Sequence, residues 1–132
     1  MEIKDKQKTR DSFLLVDSTI KLKKIGTLNK KYEKIITFDL ESHRLLKSNL
    51  VKHDISEEYL DSNDELKIDS ECIKLSQWYS NEFYSKQLFY EGINIGSLLS
   101  SEFNNFLILF LRNFLSLKKI IEKFPNATFI CV

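Results

Sequence analysis

The sequence is poor in the residues that mark several common kinds of functional site. It contains three glycines and one proline, and its only histidines, His43 and His53, are ten residues apart. Neither GxGxxG nor GxxxxGKS/T occurs, which argues against a nucleotide-binding loop within these residues. Two histidines at that distance cannot build a His-rich site, and no Cys/His cluster exists. We therefore predict neither a metal centre nor a bound cofactor.

A large excess of one charge is also absent. The formal net charge is +1, so no overall electrostatic attraction draws the chain to nucleic acid. The charges are unevenly spread, because ten Lys or Arg accompany five acids over 1–34 and eight acids accompany one Lys over 54–71. Two solvated faces explain this pattern. The alternative is a basic edge that meets a phosphate or a lipid headgroup.

The richest apolar run is short and the cysteines are few. Phe106–Leu111 is preceded by two asparagines and followed by Arg112. A membrane-spanning helix needs about 20 apolar residues, so we predict a buried helix and no transmembrane segment. Cys72 and Cys131 lie in apolar patterns and are interpreted as small buried residues of a reducing compartment. This favours a cytoplasmic protein, with the inner face of the membrane as an alternative location.

The order of the apolar patterns predicts an α/β fold. Short apolar or β-branched runs predict strands at 12–16, 34–38, 53–56 and 127–132, the last of them buried. Apolar residues at steps of three and four predict helices over 20–28, from Glu41 to a stop near Asn49, over 68–79 and over 97–123. The segment Gly92–Gly96 separates the last two helices.

Right-handed crossovers between such strands place them parallel in one sheet. We therefore predict a Rossmann-like three-layer sandwich with a mostly parallel sheet, in which strands 12–16, 34–38 and 127–132 are adjacent. The long helix over 97–123 covers one face. It is apolar on every side around Phe106–Leu111, so we expect sheet and helix to bury it there. A charge at Phe110 is then expected to unfold the domain.

The predicted domain organisation is simple. Residues 1–11 are polar and are expected to form a flexible leader, and 12–132 a single Rossmann-like domain. The last predicted strand stands at the end of the chain. In most α/β proteins such a strand leads to a functional loop. This order predicts the amino-terminal part of a larger protein, or a sheet completed by a partner.

Two candidate sites follow predicted strands. Asp17 and Ser18 come directly after the first strand, where helix-capping side chains and free N–H groups meet an anion. Asp39 comes after the second strand, and His43 follows it within a cluster of acids and an arginine. There His43 is a candidate general base oriented by a carboxylate. A plain helix cap explains each cluster equally.

A third candidate site is rich in aromatic residues. Trp78, Tyr79, Phe83, Tyr84, Phe89 and Tyr90 crowd one segment that continues into Glu91. Aromatic rings here would stack on a sugar while polar groups hold its hydroxyls, with Tyr90 and Glu91 as ligand-binding candidates. Packing between two helices is the alternative. The pattern assigns no catalytic residue.

The runs Lys34–Asp39, Ser42-His43, Trp78-Tyr79 and Tyr90–Leu99 resemble the amino-terminal domain of large bacterial and archaeal surface-polysaccharide glycosyltransferases. The resemblance implies a two-domain, twin-Rossmann (GT-B) architecture, in which the amino-terminal half binds the acceptor and the carboxyl-terminal half binds the nucleotide-sugar. The donor half is missing here. The implied function is therefore an acceptor-side domain of cell-surface carbohydrate biosynthesis that is inactive alone and binds a saccharide or lipid-phosphate acceptor. No catalytic residue of the family can be carried over, and Asp17, His43 and Glu91 are the candidates because they lie near predicted strand or helix ends that would face the interdomain cleft.

A second hypothesis comes from a different class of protein. An unfinished sheet leaves an edge that another copy or a partner can cover. The chain is then a small, non-catalytic protein–protein interaction module, either a homo-oligomer or a sheet completed by its partner.

Overall fold

The computed structural model describes residues 12–19 and 28–131, with the side chain of residue 29 excluded. The predicted leader and most of the predicted helix over 20–28 lie outside these residues. The strands are β1 (Ser12–Val16), β2 (Lys34–Thr37), β3 (Asp54–Ile55), β4 (Phe89–Tyr90), β5 (Ile93–Asn94) and β6 (Thr128–Cys131). The helices are α1 (Leu28–Lys31), α2 (Leu40–Ser48), α3 (Ser62–Ser76), α4 (Glu82–Ser85), α5 (Ile95–Leu98) and α6 (Ser100–Lys123), with 3₁₀ turns at Ser56–Tyr59 and Trp78–Ser80.

The chain divides into two compact units. The first, called the sheet unit, comprises residues up to Tyr59 together with Lys118–Val132, and the second, called the helical unit, is Leu60–Leu117. The division falls within α6.

The sheet unit is built on four parallel strands in the order β3-β2-β1-β6. The central strand β1 pairs with β2 on one side and with β6 on the other, and β3 pairs with β2 at one edge. The α/β class, the parallel sheet with helices packed on it, and the adjacency of the three main strands are confirmed.

Alternation along the central strands fills both faces of this sheet. Leu14 and Val16 of β1 pack with residues of β2, α1 and α2 in one buried cluster. Phe13 points to the opposite face, where its ring contacts Phe124 and Phe129 edge-on. Because both faces are covered, β1 and β2 read as continuous apolar runs rather than as an alternating pattern.

Helix α2 is fixed at both ends by local hydrogen bonds. Asp39 is its N-cap, and the Asp39 Oδ1 atom accepts a hydrogen bond from the Ser42 backbone N–H. At the other end Leu50 adopts a left-handed conformation with φ 55°. The N–H groups of Leu50 and Val51 donate to the carbonyls of Lys47 and Leu46, which is a Schellman motif. The predicted stop at Asn49 is confirmed as the C-cap.

The helical unit has a small core. Ile68 and Cys72 of α3 pack with Leu107 of α6. The helical spacing of Ile68 and Cys72 and the burial predicted for Cys72 are both confirmed. Arg112 donates to the Glu65 carboxylate at 2.8 Å on the same pair of helices. The predicted helix over 68–79 ends earlier, because Trp78 and Tyr79 lie in a 3₁₀ turn.

The segment predicted to separate two helices is a β-hairpin. Strands β4 and β5 pair antiparallel around Glu91 and Gly92, both with positive φ, as a two-residue type I′ turn requires. Gly96 follows at the start of α5 and is buried. A Cβ at Gly96 would collide with the Cβ of Tyr79, so glycine is needed for close approach there.

The prediction of a buried last strand is wrong. Strand β6 lies at an edge of the sheet, and Cys131 is exposed. An edge strand has only one hydrogen-bonded neighbour, so an apolar sequence does not by itself guarantee cover. Of the two cysteines predicted to be buried, only Cys72 is buried.

The predicted burial around Phe106–Leu111 is also wrong. Phe106, Leu109 and Phe110 are 59, 65 and 52% exposed, whereas Leu107 is buried. A helix buries only the stripe that meets its neighbours, and here that stripe is narrower than the apolar surface of α6. Phe110→Asp is consequently no longer expected to unfold the protein. Among the described helices, none is both long enough and apolar enough to cross a membrane.

Candidate functional site

Three of the candidate residues follow neighbouring parallel strands. Asp17 and Ser18 follow β1, and Asp39 follows β2. The strands are in register from Phe13↔Lys34 to Val16↔Thr37, and the Phe38 N–H donates to the Val16 carbonyl at 3.0 Å. These residues therefore share the carboxyl edge of the sheet, which is where open α/β sheets bind ligands.

Asp17 is exposed and locally bonded. Its Oδ1 atom accepts hydrogen bonds from the Thr19 hydroxyl at 2.6 Å and the Thr19 backbone N–H at 2.8 Å. The hydroxyl, and after it the N–H, lowers the pKa of Asp17 below its ordinary value. Asp17 thus offers an anionic carboxylate, half of whose hydrogen-bonding capacity is used within its own turn. Ser18 beside it is exposed as well.

Asp39 and His43 share a cleft of about 250 Å³ at the same edge of the sheet. The cleft is smaller than the roughly 300–1,000 Å³ of pockets that enclose a drug-sized ligand. The other lining residues are Phe38 and Leu40 beside Asp39, Ile55 at the end of β3, and Ser56 and Glu57 in the turn that follows. Such a cleft fits one small polar group, such as part of a sugar ring.

The two carboxylate oxygens of Asp39 have different surroundings. Oδ1 caps α2 through the Ser42 N–H at 2.7 Å. Oδ2 is buried and has no hydrogen-bond partner among the described residues. A buried carboxylate oxygen without a partner is costly, and Asn94 Oδ1, Asn104 Oδ1 and Ser116 Oγ are in the same state among the described residues.

The two histidines, which the sequence keeps ten residues apart, meet in the structure. His43 Nδ1 lies 2.9 Å from His53 Nε2, and His53 Nδ1 lies 2.7 Å from the Val51 carbonyl oxygen. The rings cross edge-on at 65°. His43 lies in the first turn of α2. The Schellman motif at the end of this helix reverses the chain, so that His53 lies beside His43.

Tyr90 and Glu91 lie in the helical unit. Both belong to the β4–β5 hairpin of the helical unit and both are exposed. Glu91 occupies the first position of the tight turn, with φ 47°. The structure therefore brings Asp39 and His43 together, sets Asp17 and Ser18 at the same sheet edge, and leaves Tyr90 and Glu91 on a solvent-facing hairpin.

A second polar cluster lies near the start of β2. Lys34 Nζ and the Tyr59 hydroxyl both donate to Asp54 Oδ2, at 2.7 and 2.8 Å. The bond to Asp54 raises the pKa of Lys34. Burial raises the pKa of Asp54, but the hydrogen bonds from Lys34 and Tyr59 outweigh burial and lower it overall. Burial, and then Asp54, raises the pKa of Tyr59. The three groups satisfy one another, which is the pattern of a structural cluster.

Sequence reasoning missed His53, Ser56 and Glu57 as members of the site. The signal for His53 was present, since a helix of two to three turns followed by a return brings residues ten apart to one place. The described residues contain no group of three or more His, Cys, Asp or Glu side chains that could hold a metal ion.

Comparison with known proteins adds no relative. The chain matches no model of a protein family, no curated protein and no solved structure. The functional argument therefore depends on the geometry of the cleft and on the sequence resemblance alone.

Proposed function

We propose that the chain is the acceptor-side half of a glycosyltransferase-like protein of cell-surface carbohydrate synthesis, inactive without a donor-binding half. Its cleft at Asp39 and His43 binds the acceptor, either a saccharide or a lipid phosphate. The observation that carries the proposal is that the Asp39 carboxylate and the His43 imidazole line one cleft at the carboxyl edge of a parallel sheet. A carboxylate oxygen and an unprotonated imidazole nitrogen can each accept a hydrogen bond from an acceptor hydroxyl.

The position of the cleft supports the same proposal. It lies at the carboxyl ends of β2 and β3, beside the end of β1. In an open parallel sheet this edge is the ligand side. The rigid strands and the capped helix hold the lining residues in place, as a binding site requires.

A matched pair of variants tests the proposal. Asp39→Asn keeps a good N-cap for α2 but replaces the unpaired oxygen by an N–H donor. Asp61→Asn makes the same change at the N-cap of α3, and Asp61 is not a lining residue of the cleft. We expect methyl glycosides at millimolar concentration to shift the amide NMR signals of Asp39, His43 and residues 55–57. Asp39→Asn should abolish these shifts and Asp61→Asn should keep them.

Two results would contradict the proposal. One is the absence of any shift at the cleft with methyl glycosides and with a polyprenyl phosphate in detergent. The other is a shift of equal size in Asp39→Asn, because the Asp39 carboxylate would then play no part.

A specific observation favours the second candidate, a protein–protein interaction module that forms a homodimer. Phe103, Phe106, Phe110 and Phe114 stack along α6, with ring centroids 5.9–6.5 Å apart and planes within 16°. Phe106, Phe110 and Phe114 are more than half exposed. A flat ladder of parallel rings is self-complementary, as a two-fold interface between identical chains requires.

The oligomeric state tests this candidate. Sedimentation equilibrium of the full chain should show a dimer that Phe110→Asp converts to a monomer with unchanged helix content. Asn113→Asp is the control, because it adds the same charge at an exposed position of α6 outside the ladder. A wild-type chain that is monomeric at high micromolar concentration would exclude the homodimer.

A further inference from the structure

Two contacts determine where the protons of the histidine pair lie. A carbonyl oxygen can only accept a hydrogen bond, so His53 Nδ1, 2.7 Å from the Val51 oxygen, carries a proton. In neutral His53 the Nε2 atom is then an acceptor. Because that atom lies 2.9 Å from His43 Nδ1, the proton between the two rings belongs to His43 Nδ1.

This assignment fixes the chemistry of the remaining nitrogen. Neutral imidazole carries one proton, and on His43 that proton is held at Nδ1. Nε2 of His43 is therefore an acceptor. His43 lines the cleft, and Nδ1 is engaged by His53, so Nε2 is the ring nitrogen left for a ligand.

We propose that His53 is a positioning residue that holds His43 in this tautomer, so that the cleft selects a neutral hydroxyl donor of a saccharide rather than a phosphate. The inference depends on the proposed function and deepens it, because it chooses between the two acceptor chemistries named there. His43 Nε2 accepts from one hydroxyl, and the Asp39 carboxylate, which lines the same cleft, accepts from a neighbouring one.

The charges around the cleft support this choice. Asp39 and Glu57 both line it, and no Lys or Arg is among the described residues of its lining. A phosphate brings oxygens that need donors, and it meets like charge from these carboxylates. A sugar ring brings neighbouring hydroxyls, each of which donates to an acceptor without adding charge.

The fold supports a fixed arrangement of the pair. The Val51 side chain is buried in the core cluster together with Leu46, and its N–H donates to the Leu46 carbonyl. The carbonyl that orients His53 is thus anchored by the Schellman turn, and His43 is anchored one turn into a capped helix. A hydrogen bond between a second group and one ring nitrogen of a histidine is a general way to fix which nitrogen carries the proton.

The tautomer can be measured without any ligand. Long-range ¹H–¹⁵N correlation spectra of the ¹⁵N-histidine-labelled chain are recorded as the pH is raised until the imidazole shifts stop changing. We expect both neutral rings to carry the proton on Nδ1. A His43 protonated on Nε2 would overturn the inference whatever the cleft binds, and it would leave the proposed function untouched.

Variants of His53 then test the ligand class. His53→Gln keeps an acceptor near the position of Nε2, whereas His53→Phe does not. With methyl α-glucoside as the probe, we expect His53→Phe to weaken binding at the cleft about tenfold, as for one lost hydrogen bond, and His53→Gln to retain it. Inorganic phosphate at equal concentration should shift none of the cleft signals.

The remaining outcomes count against the inference. Phosphate binding at Asp39 and His43, or equal glucoside binding in His53→Phe and wild type, would overturn the assigned ligand class. If the tautomer is as expected and no glycoside binds, the proposed function fails and the ligand class fails with it, while the tautomer assignment stands. Because the tautomer measurement needs no variant, a misfolded His53→Phe does not prevent the test.

Discussion

In the sheet unit the large apolar side chains Leu14, Ile36, Leu46 and Ile120 are fully buried, whereas in the helical unit the buried apolar side chains are Ile68, Cys72 and Leu107. The helical unit nevertheless contains many large apolar residues that stay exposed, among them Leu66, Ile73, Phe83, Leu98, Phe106, Leu109, Phe110 and Phe114. The two units thus use apolar sequence in different ways.

The difference follows from how each element meets its neighbours. A central parallel strand has a packed layer on each face, so every residue of β1 and β2 finds cover. A helix meets its neighbours along a stripe, and residues around the rest of its circumference stay outside. Apolar content therefore predicts burial well in the central strands β1 and β2 and poorly in the helices of this protein.

The largest expected effect comes from comparing a buried leucine of the sheet unit with an exposed leucine of the helical unit. Leu46→Ala removes a fully buried side chain of the sheet unit and should cost about 2–5 kcal/mol of unfolding free energy, through lost transfer energy and a cavity. Leu109→Ala, at a side chain 65% exposed, should cost less than about 1 kcal/mol. Urea unfolding measures both, with hydrogen exchange read separately in each unit. Equal losses of unfolding free energy in the two variants would contradict the expectation that side-chain burial decides the cost.

The second effect tests whether the helical unit has any tightly packed point. Gly96→Ala places a Cβ against Tyr79 and should cost about 1–3 kcal/mol by overpacking. Gly92→Ala is the control, because a Cβ there meets open space and costs about 1 kcal/mol only through the positive φ. Trp78, the single tryptophan, lies in this unit and reports its unfolding by fluorescence. A neutral Gly96→Ala would mean that the contact yields without cost.

The third effect compares one ion pair of the sheet unit with one ion pair of the helical unit. Asp54→Asn removes the Lys34 pair of the sheet unit and should cost about 1 kcal/mol, since both side chains are about one third exposed. Glu71→Gln removes the exposed Lys74 pair of the helical unit and should cost a few tenths of a kcal/mol at most.

The pH dependence of the Lys34–Asp54 pair has a definite sign. The folded pKa of Asp54 is lowered, so its contribution is present above about pH 4 and is lost as the pH falls through the folded value. The folded pKa of Lys34 is raised, so its contribution is present below about pH 10 and is lost as the pH rises through the folded value. The difference in unfolding free energy between wild type and Asp54→Asn should therefore be flat between these limits. A slope near pH 7 would contradict this account.

The smallest effect is a gain. Leu50 is 91% exposed and left-handed, so Leu50→Gly loses no burial and relieves backbone strain. After the extra chain entropy of glycine is subtracted, the gain should be roughly 0.5 kcal/mol. Leu50→Ala keeps the strain and should show no gain. Thermal unfolding of the three chains decides, and an equal rise for alanine would point to the exposed leucine rather than to φ.

Much of the sheet unit could be predicted from the sequence. The run Phe13–Val16 is continuously apolar and the run Lys34–Thr37 is rich in β-branched residues, which is typical of strands buried on both faces. Asp39 before an amphipathic stretch predicted the start of α2, and Asn49 predicted its end. The hairpin was missed because Glu91, which is not a usual residue at positive φ, occupies the first position of its turn.

The candidate site could be predicted only in part. Asp39 and His43 were found because both follow a predicted strand within one helical turn. The partner of His43 could not be found, because the length of α2 and the turn at Leu50 together decide where His53 returns. The ligand-binding roles of Asp17, Ser18, Asp39, His43, Tyr90 and Glu91 stay predictions.

The sequence by itself determined the order of strands β1, β2, β3 and β6 and of helices α2, α3 and α6, and the parallel class of the larger sheet, because periodicity, β-branching and capping act over a few residues. Only the tertiary structure decided which apolar residues are buried, that β6 is an edge, that Asp39 keeps one oxygen unpaired and that His43 meets His53. These properties depend on which surfaces meet across dozens of residues of chain, and neither local propensity nor composition carries that information.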